Sequence, residues 1–128
     1  IAKMAKTRHD GRSKSLSFVM LKYYMMESPA WQSLSAHAQA LWLHVRKRYK
    51  GENNGNIPLS VREASMALNC GKSKAKEAFD ELLDRGFLKV GRDSKFTQKN
   101  KLAREWILTD ESCNGQGPTN DWKEWKKL

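Results

Sequence analysis

The stretch EASMALNCGKSKAKEAFDELLDRGFL, residues 63–88, constrains this chain more than any other. Ala75, Ala78, Phe79, Leu82 and Leu83 fall at i, i+3, i+4, i+7 and i+8, the stripe of a helix with one buried face. That spacing predicts a helix from about Lys72 to Arg85, with Gly86 placed to stop it in a left-handed cap. A shorter helix ends near Leu68, and only Asn69-Cys70-Gly71 joins the two. So short a joint brings the helices together at close range, and the residues suit that. Ser65, Ala75 and Ala78 are small where the helices cross. Asn69 stands where the turn needs a positive φ, which Asn tolerates better than most residues. Cys70 falls where a small apolar side chain plugs the gap, so it is expected in the core rather than in redox chemistry.

Two short helices joined this way make a helix-turn-helix. The first is expected to open at Ser60-Val-Arg-Glu63, a capping box, and to place Val61, Ala64 and Leu68 on one side. The exposed face of the second begins Lys72, Ser73, Lys74, Lys76, Glu77. Cations in the first turns oppose the helix dipole, so this placement has no structural reason of its own. A helix entering a major groove end-on would set those side chains against phosphates and base edges.

Phe87–Val90 and Lys101–Leu108 read as strands. In the second, Leu102, Trp106 and Leu108 share one face, with Ala103, Glu105 and Ile107 on the other. The segment between them is polar and basic, with Arg92, Lys95 and Lys99, and Lys101 following. Two antiparallel strands with a basic tip are expected to form a wing, lying along the phosphate backbone or dipping into the minor groove. Phe96 in the tip is expected to pack back rather than touch a sugar.

Upstream, Leu16, Phe18 and Met20 alternate as in a short half-buried strand, and residues 21–27 fit a short helix equally well. Ser28-Pro29 suits the start of a further short helix. A longer helix over residues 36–50, capped by Ser35, carries Ala38, Leu41, Trp42, Val45 and Tyr49 as its core stripe. Arg46, Lys47, Arg48 and Lys50 crowd its last turns, as a solvated end facing the negative pole of the dipole would, and Gly51 is expected to end it. Residues 52–56 are a loop, and Ile57 and Leu59 around Pro58 allow a short edge strand.

At this point LSVREASMALNCGKSKAKEAFDELLDRGFLKV, with the wing and REWILT after it, resembles the winged helix-turn-helix DNA-binding superfamily. More narrowly, SPAWQSLSAHAQALWL, RYKGENNGNIPLSVREAS, GFLKV and KLAREWILT together resemble small winged-helix proteins of bacterial plasmids, phages and integrative elements, over about residues 18–109. The resemblance implies double-stranded DNA binding by the recognition helix and the wing, often as a dimer or as side-by-side copies. The pattern departs at Asn69 and Gly71, where Gly and Ser are commoner. Gly71 offers no side-chain cap, and Ser73 is the alternative.

The expected fold class is therefore α+β and mostly helical: a winged helix-turn-helix with a two-stranded wing and a short third strand. Residues 1–15 form a basic arm, 16–110 the domain, and 111–128 a linker and a Trp-containing tail. Met4-Ala-Lys reads as an ordinary start, which leaves Ile1–Lys3 as extra residues. Trp122 and Trp125 recur with lysines between them, and they are expected to dock on the chain's own core, on a second copy or on another protein.

The charge balance fits a polyanion as partner: 24 Lys and Arg against 14 Asp and Glu give +10 over 128 residues. Cys70 and Cys113 have no partners at metal-ligand spacing, so neither a metal, a cofactor nor a disulfide is expected. His37 and His44 lie two turns apart and read as structural. No nucleophile, base and pocket come together, so an enzyme is not expected. Asp80, Glu81 and Asp84 are expected to be solvated or paired to Lys or Arg. No apolar run approaches the roughly 20 residues of a membrane span, and no secretory leader is evident. The setting expected is the bacterial cytoplasm, at the nucleoid.

The expected function is sequence-specific duplex DNA binding by a transcriptional regulator or accessory factor of a mobile element. Lys72 and Lys76 would hold phosphates, while Ser73, Lys74 and Glu77 would read base edges, Glu77 by accepting from a cytosine amino group. Arg92, Lys95, Lys99 and Lys101 would clamp the flanking backbone. The alternatives are a replication initiator or recombination directionality factor, and a winged-helix protein-interaction module without DNA binding.

Overall fold

The computed structural model describes residues 16–92 and 104–127. It is an α+β fold, mostly helical, with one three-stranded antiparallel sheet. The helices are α1 (Tyr23–Met26), α2 (Pro29–Gln32), α3 (Ala36–Arg48), α4 (Val61–Leu68) and α5 (Lys72–Asp84). The strands are β1 (Ile57–Pro58), β2 (Leu88–Arg92) and β3 (Glu105–Leu108), in the order β1-β3-β2. Helices α3, α4 and α5 pack on one another, and the sheet meets α3 through β1 and α5 through β2. The core between them holds Leu41, Trp42, Phe79, Leu82, Phe87 and Trp106, all nearly inaccessible. Among the described residues no helix is long and apolar enough to cross a membrane.

The helix boundaries follow from local chemistry. Ser28 caps α2 by accepting from the Trp31 N–H, and Pro29 occupies its first turn. Ser35 caps α3 by accepting from the Ala38 N–H. Ser60 and Glu63 form the expected capping box at α4, each side chain accepting from the other residue's backbone N–H. Asn69 ends α4 at φ 54°, as the joint requires. Gly86 follows α5 at φ 83°, and the pair Gly86 N–H to Leu83 carbonyl and Phe87 N–H to Leu82 carbonyl closes a Schellman turn. Helix α3 ends at Arg48, before Gly51, because Tyr49 already adopts an extended conformation at φ −76°, ψ 128°.

Strand β3 is the centre of the sheet. Ile57 and Pro58 face Trp106 and Glu105 on one side, while Leu88, Lys89 and Val90 face Leu108, Ile107 and Trp106 on the other. The ladder slips between Val90 and Arg92. Gly91 sits in that irregularity, and a Cβ there would run into the Gly55 carbonyl. Trp106 and Leu108 are buried, as the alternation predicts, and Leu102 and Ala103 lie outside the described residues. Asn54 stands in for a further strand. Its side-chain amide donates to the carbonyls of Leu108, Glu111 and Ser112 and accepts from the Leu108 N–H at 2.7 Å.

The N-terminal segment departs from expectation. Residues 16–22 form no strand, and the packed side of their alternation is the reverse of the one expected. Val19 and Leu21 pack against the core, whereas Leu16, Phe18 and Met20 are exposed. Period two separates two faces without naming the inner one, and contact with the rest of the fold decides it.

The tail packs on the chain's own core. Trp122 is buried, stacks on Phe87 and meets Tyr24 at 5.4 Å between centroids. Asn120 N–H donates to the Thr109 carbonyl at 2.8 Å, and Lys89 pairs with Asp121 at 3.3 Å. The two tryptophans sit on a 3-10 turn, Asp121–Glu124, and its C-cap, rather than on an α-helix. A pitch of three residues per turn is what brings i and i+3 to one side. The chain's own core thus covers Trp122. Trp125 is half-buried, with the Arg85 guanidinium 5.1 Å from its ring centroid.

Arg46 ties α3 to the chain after β3, lying 3.3 Å from Asp110 and 2.6 Å from Glu111. Burial pushes the Asp110 carboxyl up, against the pull of Arg46. Glu81, expected at the solvated face of α5, instead accepts from the N–H and hydroxyl of Ser35 at 2.8 Å each. It holds the start of α3 against α5. Cys70 is half-buried against the core and Cys113 is half-buried as well, and both are free thiols.

Candidate nucleic-acid interface

Helix α5 divides cleanly. Ala75, Ala78, Phe79 and Leu82 are buried, which turns Lys72, Ser73, Lys74, Lys76 and Glu77 to solvent. The helix starts at Lys72 with Gly71 as its N-cap, and no side chain caps it. Ser73 is the second helical residue and does not serve as the cap. The open N–H groups, the positive end of the dipole and three ammonium groups thus fall together, with no acid in the first turn. An end of this kind attracts phosphate oxygens.

Neighbouring acids restrain these lysines only weakly. Lys74 lies 3.8 Å from Glu77 and Lys76 lies 3.1 Å from Asp80, both pairs well exposed. Such surface pairs contribute on the order of 0–1 kcal/mol and are easily exchanged for a stronger anion. The Lys72 side chain has no partner among the described residues.

Beside this helix lies a cleft of about 270 Å³. Lys76 and Asp80 of α5 form one wall, Ser60 and Val61 at the start of α4 another, and Arg104 and Trp106 of the β3 strand region a third. Phe79 and Trp106 stack behind it, 4.6 Å between centroids and 10° from parallel. The Trp106 ring is fixed by its Nε1–H, which donates to the Leu59 carbonyl at 2.9 Å. The Arg104 guanidinium lies 5.7 Å from the Trp106 centroid. The register of β3 therefore brings a second cation beside Lys76. Arg104 is not among the residues the sequence marks as contacts, since its place beside Lys76 depends on how the wing packs against α5, which no local pattern reveals.

Among the other expected contacts, Arg92 ends β2 opposite Glu105. Lys95, Lys99 and Lys101, Phe96 at the tip, and the arm of residues 1–15 lie outside the described residues. Among the described residues no group of three or more His, Cys, Asp or Glu assembles as a metal site. The interface is thus a surface of exposed cations on a rigid helix, next to a shallow aromatic-backed cleft. Its exposed ammonium groups and open helix N-terminus favour anions such as phosphate oxygens.

No protein-family model, curated protein or solved structure matches this chain.

Proposed function

We propose that the chain is a winged helix-turn-helix domain that binds double-stranded DNA sequence-specifically. In this reading it acts as a transcriptional regulator or accessory factor of a mobile element, at the bacterial nucleoid. The first two turns of α5 enter the major groove, with Lys72 and Lys76 at phosphates and Ser73, Lys74 and Glu77 toward base edges. The β2–β3 hairpin is the wing, with Arg92, Lys95, Lys99 and Lys101 along the flanking backbone, and Arg104 adds a contact at its base.

The observation that carries this reading is the uncapped, acid-free start of α5, with three exposed lysines at the end of the helix where they are least favourable to it. An isolated fold gains nothing from that arrangement, whereas a bound phosphate backbone reverses the sign of the interaction. The net charge of +10 agrees with a polyanionic partner.

Selection from a pool of random duplexes, with affinity followed against salt, tests the proposal. Neutralising about six phosphates gives a log–log slope of about −5. A steep slope with an enriched motif is the expected result. A steep slope without a motif reduces the role to an architectural one, and no binding at physiological salt overturns the reading.

A further inference from the structure

We propose that the C-terminal end of α3 is a second phosphate-binding strip, in which Lys47 and Lys50, beside His44, hold the backbone of the same duplex on the flank of the α5 site. The inference rests on the DNA-binding reading above and extends its footprint.

Residues 46–50 carry four cations, and the structure divides them into two pairs. Arg46 and Arg48 are engaged internally. Arg46 holds Asp110 and Glu111, while Arg48 donates to the Pro58 carbonyl at 3.0 Å and lies 3.7 Å from Glu63. Lys47 and Lys50 are exposed, and their ammonium groups have no partner among the described residues. His44, Lys47, Arg48 and Lys50 line one concavity of about 430 Å³, together with Pro58 and without a carboxylate.

The helix dipole accounts for cations in the last turn of a helix. It does not account for Lys50, which lies past the helix end at Arg48 and still faces the same hollow. Basic groups gathered around an acid-free hollow repel one another unless an anion fills it. A lysine ammonium is a compact point charge that suits a phosphodiester and reads no sequence.

Position ties this strip to the α5 site. Arg48 reaches Pro58 and Glu63, at and just before the first turn of α4. Ser60 and Val61, at that same place, line the cleft with Lys76 and Arg104. The start of α4, which also carries exposed Arg62, is thus the common neighbour of both surfaces. A sugar-phosphate backbone leaving the cleft past α4 meets Lys47 and Lys50 next.

The test uses the full chain, the duplex selected above, and three variants whose folding is checked by thermal melting. Lys47→Gln with Lys50→Gln removes both charges while keeping a polar side chain at each position, and should reduce the magnitude of the salt slope by about 2. It should also remove protection at one edge of a hydroxyl-radical footprint without changing the base preference. Lys47→Arg with Lys50→Arg should restore the slope. Lys126→Gln with Lys127→Gln removes the same charge from the tail and should leave the slope unchanged. An unchanged slope in the first variant overturns the strip, as does an equal loss in the tail variant or an altered base preference. Failure of the unmodified chain to bind any duplex overturns the DNA-binding reading itself, a different result from failure of the strip alone.

Discussion

The rings of Phe87 and Trp122 lie face to face, 6.0 Å between centroids and 8° from parallel. Phe87 follows the turn that ends α5, and Trp122 comes from the tail. The pair therefore closes the core across 35 residues of sequence, and the tail covers the joint between the candidate recognition helix and the sheet. Gly86 permits that approach, since a Cβ there would lie 2.8 Å from the Trp122 backbone nitrogen. Trp122→Ala should destabilise the fold by about 3–5 kcal/mol, the usual cost of deleting a buried aromatic ring. Denaturant unfolding measures this, and an unchanged midpoint would show that the tail contributes nothing to the core.

Lys72→Ala combined with Lys76→Ala should weaken binding to every duplex and lower the magnitude of the salt slope by about 2, with the enriched motif retained. The Lys76–Asp80 pair at 3.1 Å is well exposed, so its loss should hardly move the melting temperature. Affinity titrations at several salt concentrations decide the matter, and an unaltered slope removes α5 from the phosphate contacts.

Arg104→Ala should likewise lower the magnitude of the slope, by about 1, if the cleft between α5 and β3 faces the duplex. Trp106 keeps its hydrogen bond to Leu59, so the fold should survive the change. The same titrations test it. A lost near-UV signal from Trp106 would mean that the arginine chiefly orders the ring.

The cap of α4 should be sensitive to acid. The Ser60 N–H that Glu63 accepts holds its carboxyl below the ordinary value of 4.5, against desolvation and with help from Arg48. A lowered folded-state pKa adds stability that is complete above 4.5 and is lost as pH falls through the lowered value. Glu63→Gln should therefore be less stable than the unmodified chain at neutral pH, and the difference should vanish in acid. Because the Glu63 side chain is 49% exposed, the difference should stay below about 1 kcal/mol. Stability curves at pH 7 and in strong acid measure it, and an equal difference at both would assign the effect to shape rather than charge.

The joint between α4 and α5 offers a test of backbone geometry. Asn69 sits at φ 54°, ψ 49°. Asn69→Gly should be tolerated, whereas Asn69→Val should cost about 1–2 kcal/mol, because a branched Cβ clashes in the left-handed region. Thermal melting of the two variants separates these outcomes.

These local features were legible in the sequence for one reason. The Ser60–Glu63 box, Asn69 and Gly86 each satisfy backbone groups within a few residues, so their chemistry is complete in a short window. The exposed lysines of α5 were legible in the same way, because a helical stripe fixes the solvent side along with the buried one. Features that depend on a distant partner were not. Val19 and Leu21 face inward because of what lies behind them. Glu81 reads as a surface acid until α3 begins beside it, and Arg104 reads as a wing residue until the fold sets it in one cleft with Lys76 of α5. Lys47 and Lys50 read as a solvated helix end until Arg46 and Arg48 are seen to be engaged elsewhere.

The amide of Asn54 has a consequence for the lifetime of the chain. Asn54 precedes Gly55, and in such a pair the glycine nitrogen readily attacks the side-chain amide carbon and expels ammonia, and water then opens the cyclic imide to aspartate or isoaspartate. Here both reacting groups are engaged: the amide is bonded to the segments around Leu108 and Glu111, and the Gly55 N–H donates to the Trp106 carbonyl at 3.1 Å. Chemical ageing at this position is thus confined to moments when the sheet opens. An aspartate formed then would turn a carboxylate toward the carbonyls that now receive the amide, so each opening risks a chain that cannot close again.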